Sequence, residues 1–266
     1  MHDVASAPLA HQAGIEATLE SLAPVSLEQI DGAALLDRRD TKFVLDEGQL
    51  EKALRSVAPW YRVLEVNGTR IQGYRTLYFD SPDLALYHAH HRRQPGRYKV
   101  RSRLYLETGT AFLEVKRKVR ANRTVKSRTL TREMVTVISA GERAFVARET
   151  EGAGSELAPE LVNDFQRVTL VNYENTERVT LDMGLRVGCR GSNAELPGVV
   201  IAEVKESGAG RDSVFLRQMR AMNIHPSSFS KYCIGIALLR DDVKHNEFKP
   251  ELRRIQSILT GANHGV

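Results

Sequence analysis

Apolar and polar residues alternate along much of this chain, with the period of two that gives a strand one dry and one charged face. The segments "TKFVL" (41–45), "GYRTLYFDS" (73–81), "RYKVRSRLYLE" (97–107), "AFLEVKRKV" (111–119), "RTVKSRTLT" (123–131), "RVTLVNYE" (167–174), "TERVTLDMGLRV" (176–187) and "GVVIAEVKE" (198–206) carry the pattern. Helical spacing predicts helices over 46–58, 81–92, 131–149, 211–223 and 246–261. Residues 1–25 are small, polar and interrupted by Pro8 and Pro24. They read as a flexible tail with at most a short helix near 15–22. An ordered domain then spans 26–245, and 246–266 form a C-terminal helix and tail that caps the domain or pairs with a second protomer. Enough strands are present to roll into a barrel, so the predicted fold is α+β, an eight-stranded antiparallel β-barrel with helices packed outside.

The faces of the strands decide what such a barrel could do. In "GRYKVRSRLYLE", Arg97, Lys99, Arg101 and Arg103 occupy every second position. Neighbours in such a row stand about 6.7 Å apart and repel by roughly 2.5 kcal/mol at an effective dielectric near 20. Further charged faces carry Glu114, Lys116 and Lys118; Lys126 and Arg128; Arg178 and Asp182; and Glu203 and Lys205. A half-exposed antiparallel sheet gives the same alternation. Bases outnumber the carboxylates on these faces, however, so internal pairing cannot neutralise them and a multi-anionic ligand could. In a rolled sheet the charged faces line the interior. Removing Arg101 or Arg103 should then leave ligand-free stability unchanged or higher.

Composition narrows the field. The chain has 266 residues, 42% of them hydrophobic, and a net charge of +5 with pI near 9.2. Cys189 and Cys233 form no paired motif, which fits a reducing, cytoplasmic setting. No apolar run is long enough for a membrane span, and no leader pattern opens the sequence. The basic faces lack interleaved aromatics, which argues against nucleic acid as the partner. His88, His90 and His91 read as a solvated surface run rather than a metal site. "GAGSE" (152–156) and "SGAGR" (207–211) lack the P-loop signature and read as loops.

Several motifs together resemble a known family. "LLDRRDTKFVL", "TLYFDSPDLALY", "YKVRSRLY", "FLEVKRK" followed by "VKSR", "RVTLD", "IAEVK" and "FSKY" follow the order and approximate spacing of the VTC domain, over roughly residues 26–240. That domain is the catalytic part of the vacuolar transporter chaperone and belongs to the triphosphate tunnel metalloenzymes. The resemblance implies an eight-stranded tunnel that makes inorganic polyphosphate from ATP with a divalent metal, Mn²⁺ first and Mg²⁺ as the alternative. ATP and polyphosphate are the implied partners; oligomeric state is left open. By the same resemblance Lys42, Arg101, Arg103, Lys116 and Glu203 are catalytic. Arg38, Lys118, Lys126, Arg128, Arg178, Lys205 and Lys231 bind substrate, and Glu203 with Asp182 holds the metal.

The sequence also departs from its relatives. The superfamily's hydrolases open with E-x-E-x-K, whereas the corresponding triplet here is Arg38, Asp40 and Lys42. Loss of one carboxylate there disfavours two-metal hydrolysis. An arginine that many VTC domains place just after a tyrosine is absent at Tyr173-Glu174-Asn175, which puts one phosphate contact in doubt. Three readings stand: a polyphosphate polymerase, a tripolyphosphate or nucleoside triphosphate hydrolase, and a non-catalytic polyphosphate binder.

Overall fold

A computed structural model of the chain describes residues 7–31, 38–120, 123–152, 154, 156–174, 176–207 and 213–261. Its strands are β1 (Pro24–Val25), β2 (Arg38–Asp46), β3 (Tyr61–Leu64), β4 (Gln72–Asp80), β5 (Tyr98–Tyr105), β6 (Thr110–Arg120), β7 (Arg123–Thr131), β8 (Ala158–Asn172), β9 (Glu177–Cys189), β10 (Ser192–Leu196) and β11 (Val199–Ser207). The helices are α1 (Ala7–Ser21), α2 (Leu27–Asp31), α3 (Glu47–Val57), α4 (Ala85–His91), α5 (Ala140–Glu149), α6 (Val214–Ala221), α7 (Lys231–Leu239) and α8 (Lys249–Leu259). One sheet runs in the order β2-β11-β9-β8-β4-β5-β6-β7, every neighbour antiparallel, with β1, β3 and β10 off this path. This is the expected eight-stranded antiparallel architecture, rolled but not sealed. Among the described residues β2 and β7 do not pair. The roll brings Glu203 of β11 and Lys116 of β6 into each other's field although they lie far apart along the path.

Alternation sorts the side chains as the sequence implies. Phe43, Leu45, Val179, Leu181, Val200, Ala202 and Val204 point outward and pack under α1, α3 and α6 through Ile15, Leu19, Leu50, Leu54, Phe215 and Met219. Around the sheet, Phe79, Val100, Leu113 and Val115 pack against Val146 of α5. No helix among the described residues is long and apolar enough to cross a membrane.

Four expectations change. The presumed tail forms α1 from Ala7, because Ile15 and Leu19 make an i, i+4 apolar pair that the outer core buries. Arg70 fixes its end by donating to the carbonyls of Leu19, Glu20 and Leu22. The helix predicted from 131 begins only at Ala140, where Ser139 and Glu142 form a capping box. Strand β8 starts at Ala158, well before the segment that alternation marked. Not all helices lie outside: α7 rests on the inner face, its Tyr232 and Ile236 packing with Val44, Tyr78, Leu161, Phe165 and Ile201. Gly235 permits that approach, since a Cβ there would sit 2.9 Å from both terminal methyls of Leu161.

Candidate active site

Antiparallel register puts directly paired residues on the same face, and the pairs assemble the inner lining rung by rung. Lys99 of β5 faces Lys116 of β6, which faces Lys126 of β7. The next rung is Arg101, Glu114 and Arg128, and the next joins Arg103 to Phe112. On the other wall, Lys42 of β2 pairs with Glu203 of β11 and Asp40 with Lys205, which in turn faces Arg178 of β9. Arg167 of β8 stands opposite Asp182 of β9. Ser230 caps α7 and starts it at Lys231, whose ammonium reaches Asp182. Lys118 continues the β6 row. Arg38 opens β2, and its side chain lies outside the described residues.

Three carboxylates organise these cations. Glu114 is fully buried and accepts from Arg101 Nε at 2.6 Å while pairing with Lys126. Burial alone would raise its pKa; Arg101, Arg103 and Lys126 reverse this and hold it well below the carboxylate range. Asp182 is likewise buried, takes a two-pronged bond from Arg167 at 2.5 and 2.8 Å, and pairs with Lys231. It too is held low, burial being outweighed by Arg167 and Lys231. Glu203 is looser, with Lys205 at 3.3 Å and Lys42 at 3.5 Å. Burial is overcome there by Lys205, Lys42 and Lys116, so the group stays ionised.

The remaining cations are crowded. Among the described residues Lys99, Arg103, Lys116 and Lys118 have no carboxylate within ion-pairing distance. The lysines respond by losing basicity. Arg101 above all, then burial and Arg103, pushes Lys116 far down, and burial with Lys42, Arg97 and Arg101 lowers Lys99. Burial, reinforced by Arg101 and Arg103, brings Lys126 to about 8 despite Glu114. Arg103 donates to Thr76 at 3.1 Å and lies over the rings of Tyr74 and Phe165.

The expected row on β5 divides. Lys99, Arg101 and Arg103 point inward, whereas Arg97 precedes the strand and is tied to His90 Nδ1 at 3.0 Å and the Gln94 carbonyl at 2.8 Å. His90 donates through Nε2 to the Tyr98 carbonyl, and burial together with Lys99 pushes it down to about 2, so its ring is neutral. The three histidines are therefore not a simply solvated run. Arg167 was missed by sequence reasoning. It stands opposite Asp182 on the inner lining, and its position two residues after Phe165 was the available signal. Arg178 sits on the lining and also donates to the Ile30 carbonyl at 3.3 Å. Arg128 stacks over Phe112.

No cluster of three or more His, Cys, Asp or Glu suited to a metal occurs among the described residues. A divalent cation bound mostly by phosphate oxygens and water needs fewer protein ligands, and Glu203, ionised and about 20% exposed, fits that demand. Each oxygen of Asp182 already accepts from a cation, Oδ1 from Arg167 and Oδ2 from Arg167 and Lys231, so a metal there would compete with those two charges.

The model of the VTC domain family matches residues 37–240. No curated protein matches the sequence. Solved structures of similar shape include bh2851 from Bacillus halodurans, at 12% identity and TM-score 0.48, covering 73% of this chain and 96% of that one. HpAC1 from Hippeastrum, described as having a dominant triphosphatase activity, aligns at 14% identity and TM-score 0.46 over 79% of this chain and 100% of its own. The Pct1 RNA triphosphatase of S. pombe aligns at 9% and TM-score 0.29, over 96% and 91%.

Proposed function

The chain belongs to the VTC domain family, and on that premise we propose that it is a metal-dependent polyphosphate polymerase, moving the γ-phosphoryl group of ATP to the end of an inorganic polyphosphate chain. The observation that carries this reading is the charge balance of the inner face. Glu114 and Asp182 each pair with two cations, while Lys99, Arg103, Lys116 and Lys118 have no carboxylate of the described residues within ion-pairing distance. A chain of several phosphates matches such a run better than a single anion does. Arg101, Arg103 and Arg167 offer planar forks to phosphate oxygens, and the lysines act as point charges.

In the reaction the bond from the γ-phosphorus to the ADP oxygen breaks as one forms to a terminal oxygen of the acceptor. That oxygen is already ionised, so no general base is required. Catalysis then rests on alignment and charge stabilisation, which fixed cations provide without reorganising. Glu203 would hold the divalent metal, Mn²⁺ before Mg²⁺, with Lys42 and Lys205 beside it. When bound, such an ion neutralises charge on the transferring phosphate. The first of the two E-x-E-x-K carboxylates of the hydrolases is replaced by Arg38, with Asp40 keeping the second ahead of Lys42, which favours transfer to a chain over metal-activated water. The test is incubation of the pure protein with ATP and Mn²⁺, then separation of the products. ADP with polymer is expected; ADP with free phosphate would make it a hydrolase, and tight polymer binding without turnover a binder.

A further inference from the structure

The strand that carries Lys42 inward also walls a second cavity on the outside of the sheet. This cavity, of about 300 Å³, lies between the outward residues Arg39, Thr41 and Phe43 of β2 and the end of α6 with the loop after it. Phe43, Leu216 and Ile224 form a buried apolar floor. Arg39, Arg220 and His225 stand around its rim, all exposed. Among the described residues neither guanidinium has a carboxylate within ion-pairing distance, and none of those lining the cavity is a carboxylate. Glu206 lies cross-strand from Arg39. Its field reaches both guanidiniums, but burial and the adjacent Glu177 favour its neutral form.

We infer that this outer cavity binds an organic phosphate monoester whose body is about one ring in size. Two guanidinium forks and an imidazole present more donors than a carboxylate can use, and they suit the three oxygens of a terminal phosphate. The apolar floor suits the ring, and the volume is at the small end of ligand pockets. The inference does not depend on polymerase activity, since none of these side chains belongs to the tunnel lining.

Phenyl phosphate is the probe, titrated calorimetrically into wild type, Arg39→Ala, Arg220→Ala and the tunnel variant Lys116→Ala, with melting curves to verify folding. Saturable one-to-one binding is expected in wild type and Lys116→Ala. Each outer variant should weaken it by about tenfold or more, the loss of one charge-assisted hydrogen bond. Inorganic phosphate should bind several-fold more weakly than phenyl phosphate, because it leaves the apolar floor unused. No saturable binding, unchanged binding in both outer variants, or loss of binding in Lys116→Ala would overturn the site. Equal affinity for the two phosphates would overturn its apolar half.

Discussion

Two inward cations one rung apart should respond oppositely to removal. Lys116 lies directly between Lys99 and Lys126, is opposed above all by Arg101 and then by Arg103, and has no ion pair among the described residues. If the ammonium groups splay to about 7 Å, each like-charge pair costs roughly 2.4 kcal/mol at an effective dielectric near 20. Glu114 and Glu203 offset part of this, leaving a net strain of about 1 to 2 kcal/mol. Lys116→Met keeps the aliphatic stem and removes the charge. Its ligand-free melting temperature at pH 7 should therefore rise by roughly 2 to 8 °C for a domain of this size. Arg101→Ala should do the reverse. It strips the fully buried Glu114 of its main partner, a loss of about 3 kcal/mol or roughly 6 to 12 °C. The rise should shrink in 1 M salt, which screens the lysines but reaches the buried pair poorly. Thermal melts with and without tripolyphosphate measure both effects, and each variant should gain less from the ligand than wild type. If Lys116→Met melts below wild type without ligand at low salt, the rung is structural and the argument fails.

Glu203→Gln should preserve the fold yet weaken Mn²⁺ binding and slow ADP formation by orders of magnitude, since the amide keeps the shape and loses the charge; near-normal Mn²⁺-dependent turnover refutes it. Asp182→Asn should melt lower by about 3 kcal/mol of stability, because Arg167 and Lys231 lose their counter-charge. Its Mn²⁺ affinity should hold, and a large fall in that affinity without a change in melting would make Asp182 a ligand. Raising the pH from 7 to 9 should weaken tripolyphosphate binding, as Lys126 deprotonates around 8 and Lys99, Lys116 and Lys205 sit below their ordinary range. Ligand-free stability should rise over the same interval, because the folded state then holds fewer protons than the unfolded chain, whose lysines titrate near 10.4. Melting curves across pH check both signs, and a ligand-induced shift that stays constant contradicts the first.

Strand faces were legible because alternation depends only on backbone geometry, so Lys42, Lys116, Glu203 and Lys205 could be assigned inward from sequence alone. Partnership across the sheet was not, because register is a tertiary property that a slip of one residue reverses. Arg101 shows the consequence. Read as an unpaired cation on a crowded basic face, it should have been dispensable for stability; opposite the buried Glu114 it becomes a structural partner, while Lys116 on the neighbouring rung carries the repulsion. The same limit hid Arg167, whose strand was marked only from its own position onward, and α7, whose residues are apolar nearly all round and so show no amphipathic stripe. Both errors concern the inside of the tunnel, where burial falls on charged and apolar residues alike. There the useful question is which cations already have a carboxylate. Glu114 and Asp182 fix Arg101, Lys126, Arg167 and Lys231 in place, so a bound polyanion gains most from Lys99, Arg103, Lys116 and Lys118, whose charges the ion pairs leave uncompensated.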